Sequence, residues 1–141
     1  EEFKMLGKRK IRKNVFNLLF GFSFNAEESA LEYFNTAYDN FCCEDDEAES
    51  VKTLFLAICE NLEDIDKTLE KYLQGWKIAR LSKTILTIFR ISIYEMLYAK
   101  LPSAISINEA VELAKVYCED GACGYINGVL NAIAKTEIVN E

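Results

Sequence analysis

The stretch from Ser82 to Ala99 constrains the fold of this chain more than any other segment. Its apolar residues fall on every side of a helix and leave no polar face wide enough for water. They are Ile85, Leu86, Ile88, Phe89, Ile91, Ile93, Tyr94, Met96 and Leu97. A membrane span needs about 20 mostly apolar residues, and Lys83, Arg90 and Glu95 interrupt this shorter segment. Because a helix that is apolar all round is buried, we predict a central helix that other helices surround.

The rest of the composition agrees with a helical protein of one domain. The chain has 141 residues, half of them hydrophobic, with six glycines and a single proline. So few turn-forming residues favour helices over a sandwich or a barrel, and the length suits one domain. Five cysteines without a Cys-x-x-Cys pair, and the lack of a signal-like N-terminus, indicate a reduced cytoplasmic protein without a membrane segment.

Apolar residues at helical spacing predict further helices on both sides of the central one. Before it there are four stripes. The first consists of Ile11, Val15, Leu18, Leu19 and Phe22, and the second of Leu31, Phe34, Tyr38 and Phe41. The third consists of Val51, Leu54, Phe55, Ile58 and Leu62, and the fourth of Ile65, Leu69, Tyr72 and Leu73. After it, they consist of Ile107, Ala110, Val111, Ala114 and Cys118, and of Ile126, Val129, Leu130 and Ile133. The sequence therefore predicts an all-α protein of about seven helices.

Capping side chains predict where several of these helices begin. Asn25, with Glu28 three residues later, predicts the start of the second helix. Ser106 and Glu109 have the spacing of a capping box, and Ser82 is expected to cap the central helix. Each of these side chains can accept a hydrogen bond from a backbone N–H that a helix start leaves unpaired.

Glycine, proline and tryptophan mark positions between the helices. Gly75 is expected to stop the fourth helix and Pro102 to end the central one. Trp76 lies between two helices and is expected to be a buried packing anchor. Asn127 and Gly128 would ordinarily indicate a hairpin, but no alternating strand flanks them. We predict a helix there, in which Gly128 lets another backbone approach closely.

Positive charge is concentrated near one end of the chain. Six of the 16 basic residues lie between Lys4 and Lys13, although the formal net charge is −7. At 100° per residue, cations and aromatic rings share the side of the first helix away from its core stripe. They are Arg9, Arg12, Lys13, Phe16 and Phe20. A basic arm on an acidic protein suggests a contact with nucleic acid or another polyanion at that end.

This combination suits single-stranded RNA, although packing is an alternative. Lysine and arginine hold phosphates of any sequence, and unstacked bases gain about 1 to 3 kcal/mol each by stacking on aromatic rings. Phe16 or Phe20 could instead pack against a neighbouring helix, with the basic turn merely solvated. The residues alone leave both interpretations open.

The sequence offers little support for an enzyme. The chain has no histidine, which is the commonest general base and metal ligand. The pair Cys118 and Cys123 is too isolated to propose a metal site, and no glycine-rich phosphate loop is present. We expect no catalytic residues, no metal and no cofactor.

The C-terminal third carries a long and specific pattern. It reads Ile107-Asn108-Glu109-Ala110-Val111-Glu112-Leu113-Ala114-Lys115 and, after a short loop, Tyr125-Ile126-Asn127-Gly128-Val129-Leu130. The same pattern includes Ile85-Leu86, Phe89-Arg90, Tyr94-Glu95, Pro102 and the basic run Lys8-Arg9-Lys10-Ile11-Arg12. Over nearly the whole chain, these motifs resemble the bacterial transcription antitermination factor NusB family.

The resemblance implies a fold and a function. It implies two small packed helical bundles within one domain over residues 1–141, the N-terminal part at about 8–62 and the C-terminal part at about 63–137. The family works without catalysis. Its members bind the boxA element of ribosomal-RNA leader transcripts together with NusE, a small-subunit ribosomal protein. The complex joins other Nus factors on RNA polymerase in the bacterial cytoplasm, and a monomer or a homodimer is compatible with this role.

The resemblance also implies a set of RNA-binding residues. Matched by position, the family's RNA surface would use Arg9, Arg12, Phe20 and Tyr125. Weaker candidates are Lys8, Lys13 and Asn127. This set agrees with the cation-and-aromatic face of the first helix, and the agreement favours RNA contact for Phe20.

Three charged residues that match the family are expected to have structural roles. Arg90 and Glu95 lie on the central helix, and an unpaired charge there would cost several kcal/mol. We predict that each has a hydrogen-bonded partner inside the fold, with Glu109 as one candidate.

The match is less complete near the last helix. Gly124 stands where a basic residue commonly precedes the aromatic one, and Glu119 and Asp120 make the adjacent loop acidic. Fewer cations release fewer counterions, so RNA binding would depend more on a partner protein. The alternative function is a diverged helical adaptor that binds proteins and no specific RNA.

Overall fold

The structure is a computed structural model that describes residues 2–25, 27–38 and 45–138, with side chains in 8–25, 27–37 and 47–138. Helices dominate these residues, and the predicted all-α class is confirmed. The α-helices are α1 (Glu2–Phe22), α2 (Ala30–Tyr38), α3 (Asp45–Glu60), α4 (Leu62–Glu70), α5 (Lys83–Ile93), α6 (Ser103–Tyr117) and α7 (Ala122–Glu137). A 3₁₀ turn at Ile78–Arg80 precedes α5, and a π-helical turn at Tyr94–Tyr98 follows it. No helix among the described residues is long and apolar enough to cross a bilayer.

The first of two compact units ends at Glu60 and contains α1, α2 and α3, which contact one another. Its core consists of Val15, Phe16, Leu18, Leu19, Phe34, Val51, Phe55 and Ile58. A Cβ atom at Gly21 would collide with the hydroxyl group of Tyr33, so this glycine lets the ring of Tyr33 approach α1. Leu31 is exposed, contrary to its predicted place in the core stripe of α2. Phe41, the last residue of that stripe, lies outside the described residues.

The second unit begins at Asn61 and is built around α5, which contacts α4, α6 and α7. The predicted buried central helix is confirmed, because most of α5 and the π-helical turn is buried. The buried residues are Leu86, Thr87, Ile88, Phe89, Ile91, Ser92, Ile93, Glu95 and Met96. Ser82 caps α5, since its Oγ accepts a hydrogen bond from the backbone N–H of Ile85 at 3.2 Å.

Two other predicted caps are wrong. Asn25 does not begin α2; its Nδ2 donates to the carbonyl oxygen of Gly21 at 3.0 Å, at the end of α1. The residue that caps α2 is Ser29, whose Oγ accepts from the backbone N–H of Glu32. Ser106 and Glu109 do not begin α6, which starts at Ser103 directly after the proline, so both lie inside the helix and are buried.

The charges on the central segment have partners. Arg90 donates from Nε and Nη2 to the two carboxylate oxygens of Asp66 on α4, at 2.9 and 2.7 Å. Ser106 Oγ donates to Glu95 Oε1 at 2.9 Å and lies 2.8 Å from the hydroxyl oxygen of Ser92. Glu109 is buried on the next turn of α6. Pairing of this kind offsets the cost of removing a charge from water.

Two predicted structural roles are wrong. Trp76 is 60% exposed and therefore is not a buried packing anchor. Gly128 lies within α7 as predicted, but no heavy atom lies within 4 Å of the position that a Cβ would take. No other backbone approaches Gly128 among the described residues, so close packing does not require glycine there.

Candidate nucleic-acid interface

The exposed side of α1 carries cations and an aromatic ring in one sector. Arg9, Lys13 and Phe20 fall within about 40° of one another around the helix, because each residue turns the chain by about 100°. Arg9 and Lys13 are exposed and Phe20 is half-buried. Lys8 is exposed as well, but it lies about 100° away from Arg9. The first unit therefore presents two cations and one partly accessible ring along the same side of α1.

Arg12 and Phe16 are buried, unlike these residues. Arg12 is 6% exposed and Phe16 is 3% exposed. Arg12 lies about 20° from Leu19 around the helix, whereas Phe16 lies about 20° from Arg9, so the buried part of α1 is wider than its aliphatic residues indicate. For Phe16 the packing interpretation is therefore right. The Arg12 side chain offers little surface to a phosphate in this conformation.

An aromatic row runs along α1 beyond its last turn. The rings of Phe16 and Phe20 are stacked with centroids 6.1 Å apart, and Phe20 meets Phe24 edge-on at 5.2 Å. Phe24 is exposed. Reasoning from the sequence missed Phe24, although its spacing of four residues from Phe20 was a usable signal.

The second unit contributes the first turns of α7. Gly121 adopts a φ of +96° immediately before the helix, a conformation that glycine reaches without strain. Tyr125 follows one turn later and is 41% exposed, and its ring forms a T-shaped pair with that of Phe89, with centroids 5.9 Å apart. Burial raises the pKa of the Tyr125 phenol, so it stays neutral at physiological pH. A neutral, partly exposed ring that a neighbouring ring holds in place is suited to base stacking.

Asn127 is exposed but does not share the side of α7 that carries Tyr125. Two residues correspond to about 200° of helix rotation, so the two side chains point in nearly opposite directions. The acidic residues Glu119 and Asp120 are both exposed just before α7. This end of the second unit therefore offers an aromatic surface rather than a basic one.

Similarity to characterised proteins agrees with these features. The model of the NusB family matches residues 9–135. The transcription antitermination protein NusB of Acetivibrio thermocellus is 32% identical over 136 residues, which cover 96% of this chain and 93% of the relative. NusB of Clostridium novyi is 39% identical over 137 residues, with 92% and 99% covered.

Solved structures give the same result for the fold. NusB of T. maritima matches with a TM-score of 0.81 and 32% identity, covering 91% of this chain and 90% of that one. A complex of the antitermination factors NusB and NusE with double-stranded RNA matches with a TM-score of 0.81 and 26% identity, covering 93% and 98%. Since the family model spans most of the chain, the resemblance in the sequence is confirmed, and this chain belongs to the NusB family.

Proposed function

We propose that this protein is a transcription antitermination factor that binds boxA RNA of ribosomal-RNA leader transcripts together with NusE. The observation that carries the proposal is the exposed sector of α1, where Arg9 and Lys13 share one side of the helix with Phe20 in a chain of the NusB family. The solved complex of NusB with NusE and RNA supports NusE and RNA as the two partners. Through NusE and other Nus factors, the complex would join RNA polymerase in the cytoplasm and sustain elongation.

In this proposal the two units contribute different interactions. Arg9 and Lys13 hold phosphates, with Lys8 as a further cation, while Phe20 and Tyr125 stack on bases. Asn127, on the other side of α7, makes a polar contact with a different part of the RNA. Arg12 acts by supporting α1, because its side chain is buried.

The direct test is binding of a short boxA-like RNA and a scrambled control, with and without NusE, over a series of salt concentrations. Selective binding that tightens with NusE supports the proposal. About three phosphate contacts with a single strand should give a log–log salt slope of about −2. Weak and unselective binding under both conditions would instead favour a helical adaptor that binds only proteins.

Two substitutions locate the contact. Lys13→Gln should weaken binding to every RNA and make the salt slope shallower by about 0.7, since one phosphate contact is lost. The control is Lys67→Gln, which removes another exposed cation, one on α4 that pairs with Glu63. Tyr125→Ala should cost about 1 to 3 kcal/mol of binding free energy, whereas Tyr125→Phe keeps the ring and should bind almost normally. Unchanged affinity in both Lys13→Gln and Tyr125→Ala would exclude these residues as RNA contacts.

A further inference from the structure

A cleft of about 640 Å³ opens on the second unit, next to Tyr125. Its walls include Tyr72 and Trp76 on one side and residues of α7, among them Tyr125, on the other. The volume is within the range of about 300 to 1,000 Å³ that is usual for small-ligand sites. Three aromatic side chains therefore line a cleft of the size that a nucleotide needs.

Trp76 is held at the cleft by an unusual turn. The two residues before the tryptophan, Gln74 and Gly75, have φ values of +51° and +88°. This left-handed pair lies in the turn after α4, and the next residue, Trp76, is 60% exposed. An exposed indole offers a large and rigid aromatic surface, which is why tryptophan is enriched at interfaces. No ring of another aromatic residue pairs with Trp76 in the part of the chain that the structure describes.

The charge at the cleft is positive. Arg80, the last residue of the 3₁₀ turn, lines the cleft and is exposed. Within the described ranges it has no ion-pair partner, in contrast to Arg90, which Asp66 neutralises. None of the residues lining the cleft is acidic. A ligand with a negative charge beside a flat apolar group would therefore be complementary.

Two glycines line the cleft on the α7 side, and neither projects a side chain into it. Gly124 and Gly128 are four residues apart and so lie on the same side of the helix, and a Cβ at either position would meet no atom within 4 Å. The opposite wall is fixed, because the hydroxyl group of Tyr72 donates a hydrogen bond to Glu137. A planar group could lie over the glycines without displacing a side chain.

We propose that this cleft is a nucleotide subsite for single-stranded RNA, in which a base stacks on Trp76 and Arg80 holds an adjacent phosphate. The subsite rests on the proposed function and adds Trp76 and Arg80 to the RNA-contacting residues. An acidic peptide is less complementary, because one arginine offers it a single charge while the aromatic walls would remain without stacking partners.

The fluorescence of Trp76 tests the subsite directly, because it is the only tryptophan in the chain. The full-length protein is titrated with the boxA-like RNA, and its tryptophan emission is recorded alongside the anisotropy of labelled RNA. Stacking should quench the emission at the same RNA concentrations at which the anisotropy rises. RNA binding without any change in emission would overturn the subsite and leave the proposed function intact.

Variants provide the second measurement. Trp76→Ala should raise the Kd by about 5- to 150-fold if a base is lost from the ring, and Trp76→Phe should restore most of the affinity. The matched control is Val116→Ala, which trims another exposed apolar side chain, on α6. Arg80→Gln should make the salt slope shallower by about 0.7. Circular dichroism confirms that each variant is folded.

The remaining outcomes separate the two proposals. If Trp76→Ala binds as tightly as Val116→Ala while Tyr125→Ala binds weakly, RNA binding stands and the subsite is wrong. If neither boxA-like nor scrambled RNA binds, with NusE present, both proposals fail. Quenching by a glutamate-rich peptide but not by RNA would assign the cleft to a protein partner and also overturn the subsite.

Discussion

Replacing Asp66 by asparagine measures how much the paired charge on the central helix contributes to stability. The bidentate pair joins Asp66 on α4 to Arg90 on α5 through hydrogen bonds of 2.9 and 2.7 Å. The Arg90 and Asp66 side chains are 14% and 25% exposed, so water screens the pair only in part. Asp66→Asn keeps the shape, removes the negative charge and places an N–H group against the guanidinium.

The expected loss follows from this geometry. Two unit charges 4 Å apart attract by about 4 kcal/mol at an effective dielectric constant of about 20, before the cost of desolvation is subtracted. Hydrogen bonds to charged groups contribute about 1.5 to 3 kcal/mol net, and breaking a fully buried pair costs about 3 to 5 kcal/mol. Because this pair keeps some contact with water, Asp66→Asn should lower the free energy of unfolding by about 2 to 3 kcal/mol.

Urea denaturation followed by circular dichroism measures the difference. The control is Glu63→Gln on the same helix, which breaks the exposed pair of Glu63 and Lys67 with its N–O distance of 3.5 Å. That change should cost no more than about 0.5 kcal/mol, as is usual for exposed pairs of this spacing. If Asp66→Asn is no more destabilising than Glu63→Gln, the pair does not stabilise the fold and the reasoning is wrong.

Three further substitutions can be measured in the same urea assay. Gly128→Ala should stabilise the protein by about 0.5 to 1 kcal/mol, because a glycine inside a helix is costly and the added Cβ meets nothing; a lower midpoint would contradict this. Ser106→Ala should destabilise it by about 1 to 3 kcal/mol, because the buried Glu95 loses a donor, and an unchanged midpoint would refute that role. Tyr72→Phe should destabilise at neutral pH and have little effect in acid. The hydrogen bond from Tyr72 lowers the pKa of the Glu137 carboxyl group below its usual 4.5. The stabilisation from this hydrogen bond is therefore complete above pH 4.5 and is lost as the pH falls through the folded-state pKa of Glu137. An equal cost of Tyr72→Phe at both pH values would argue against this role.

The helices could be predicted from the sequence because the core follows one local rule. Apolar residues at helical spacing must share a face, and residues such as Val15 and Ile88 are buried as the rule requires. The helix ends were less predictable. Asn25 and Ser106 have side chains that bond equally well to several groups, and the structure gives them Gly21 and Glu95 as partners. Spacing alone cannot distinguish a local cap from these alternatives.

The candidate interface was only partly predictable, for a related reason. The angular position of Lys13 and Phe20 on α1 follows from helix geometry. The burial of Arg12 agrees with its angular position about 20° from Leu19, whereas the burial of Phe16, about 20° from Arg9, depends on how far neighbouring segments cover the helix, which periodicity does not encode. Trp76 follows a left-handed turn at Gln74 and Gly75 and is exposed, whereas a lone tryptophan between helices is usually a packing anchor. The sequence therefore indicated the basic end more clearly than the aromatic cleft.

The distribution of charge determines how such a protein could be selective. The chain carries a net charge of −7, and the exposed loop before α7 is acidic at Glu119 and Asp120. Few phosphates can be neutralised, so counterion release contributes little and the salt dependence is shallow. Stacking on Phe20, Tyr125 and Trp76 would then supply a large share of the affinity, and salt weakens stacking much less than it weakens phosphate contacts. The ratio of affinities for boxA-like and scrambled RNA should consequently persist as salt rises, even though both affinities fall.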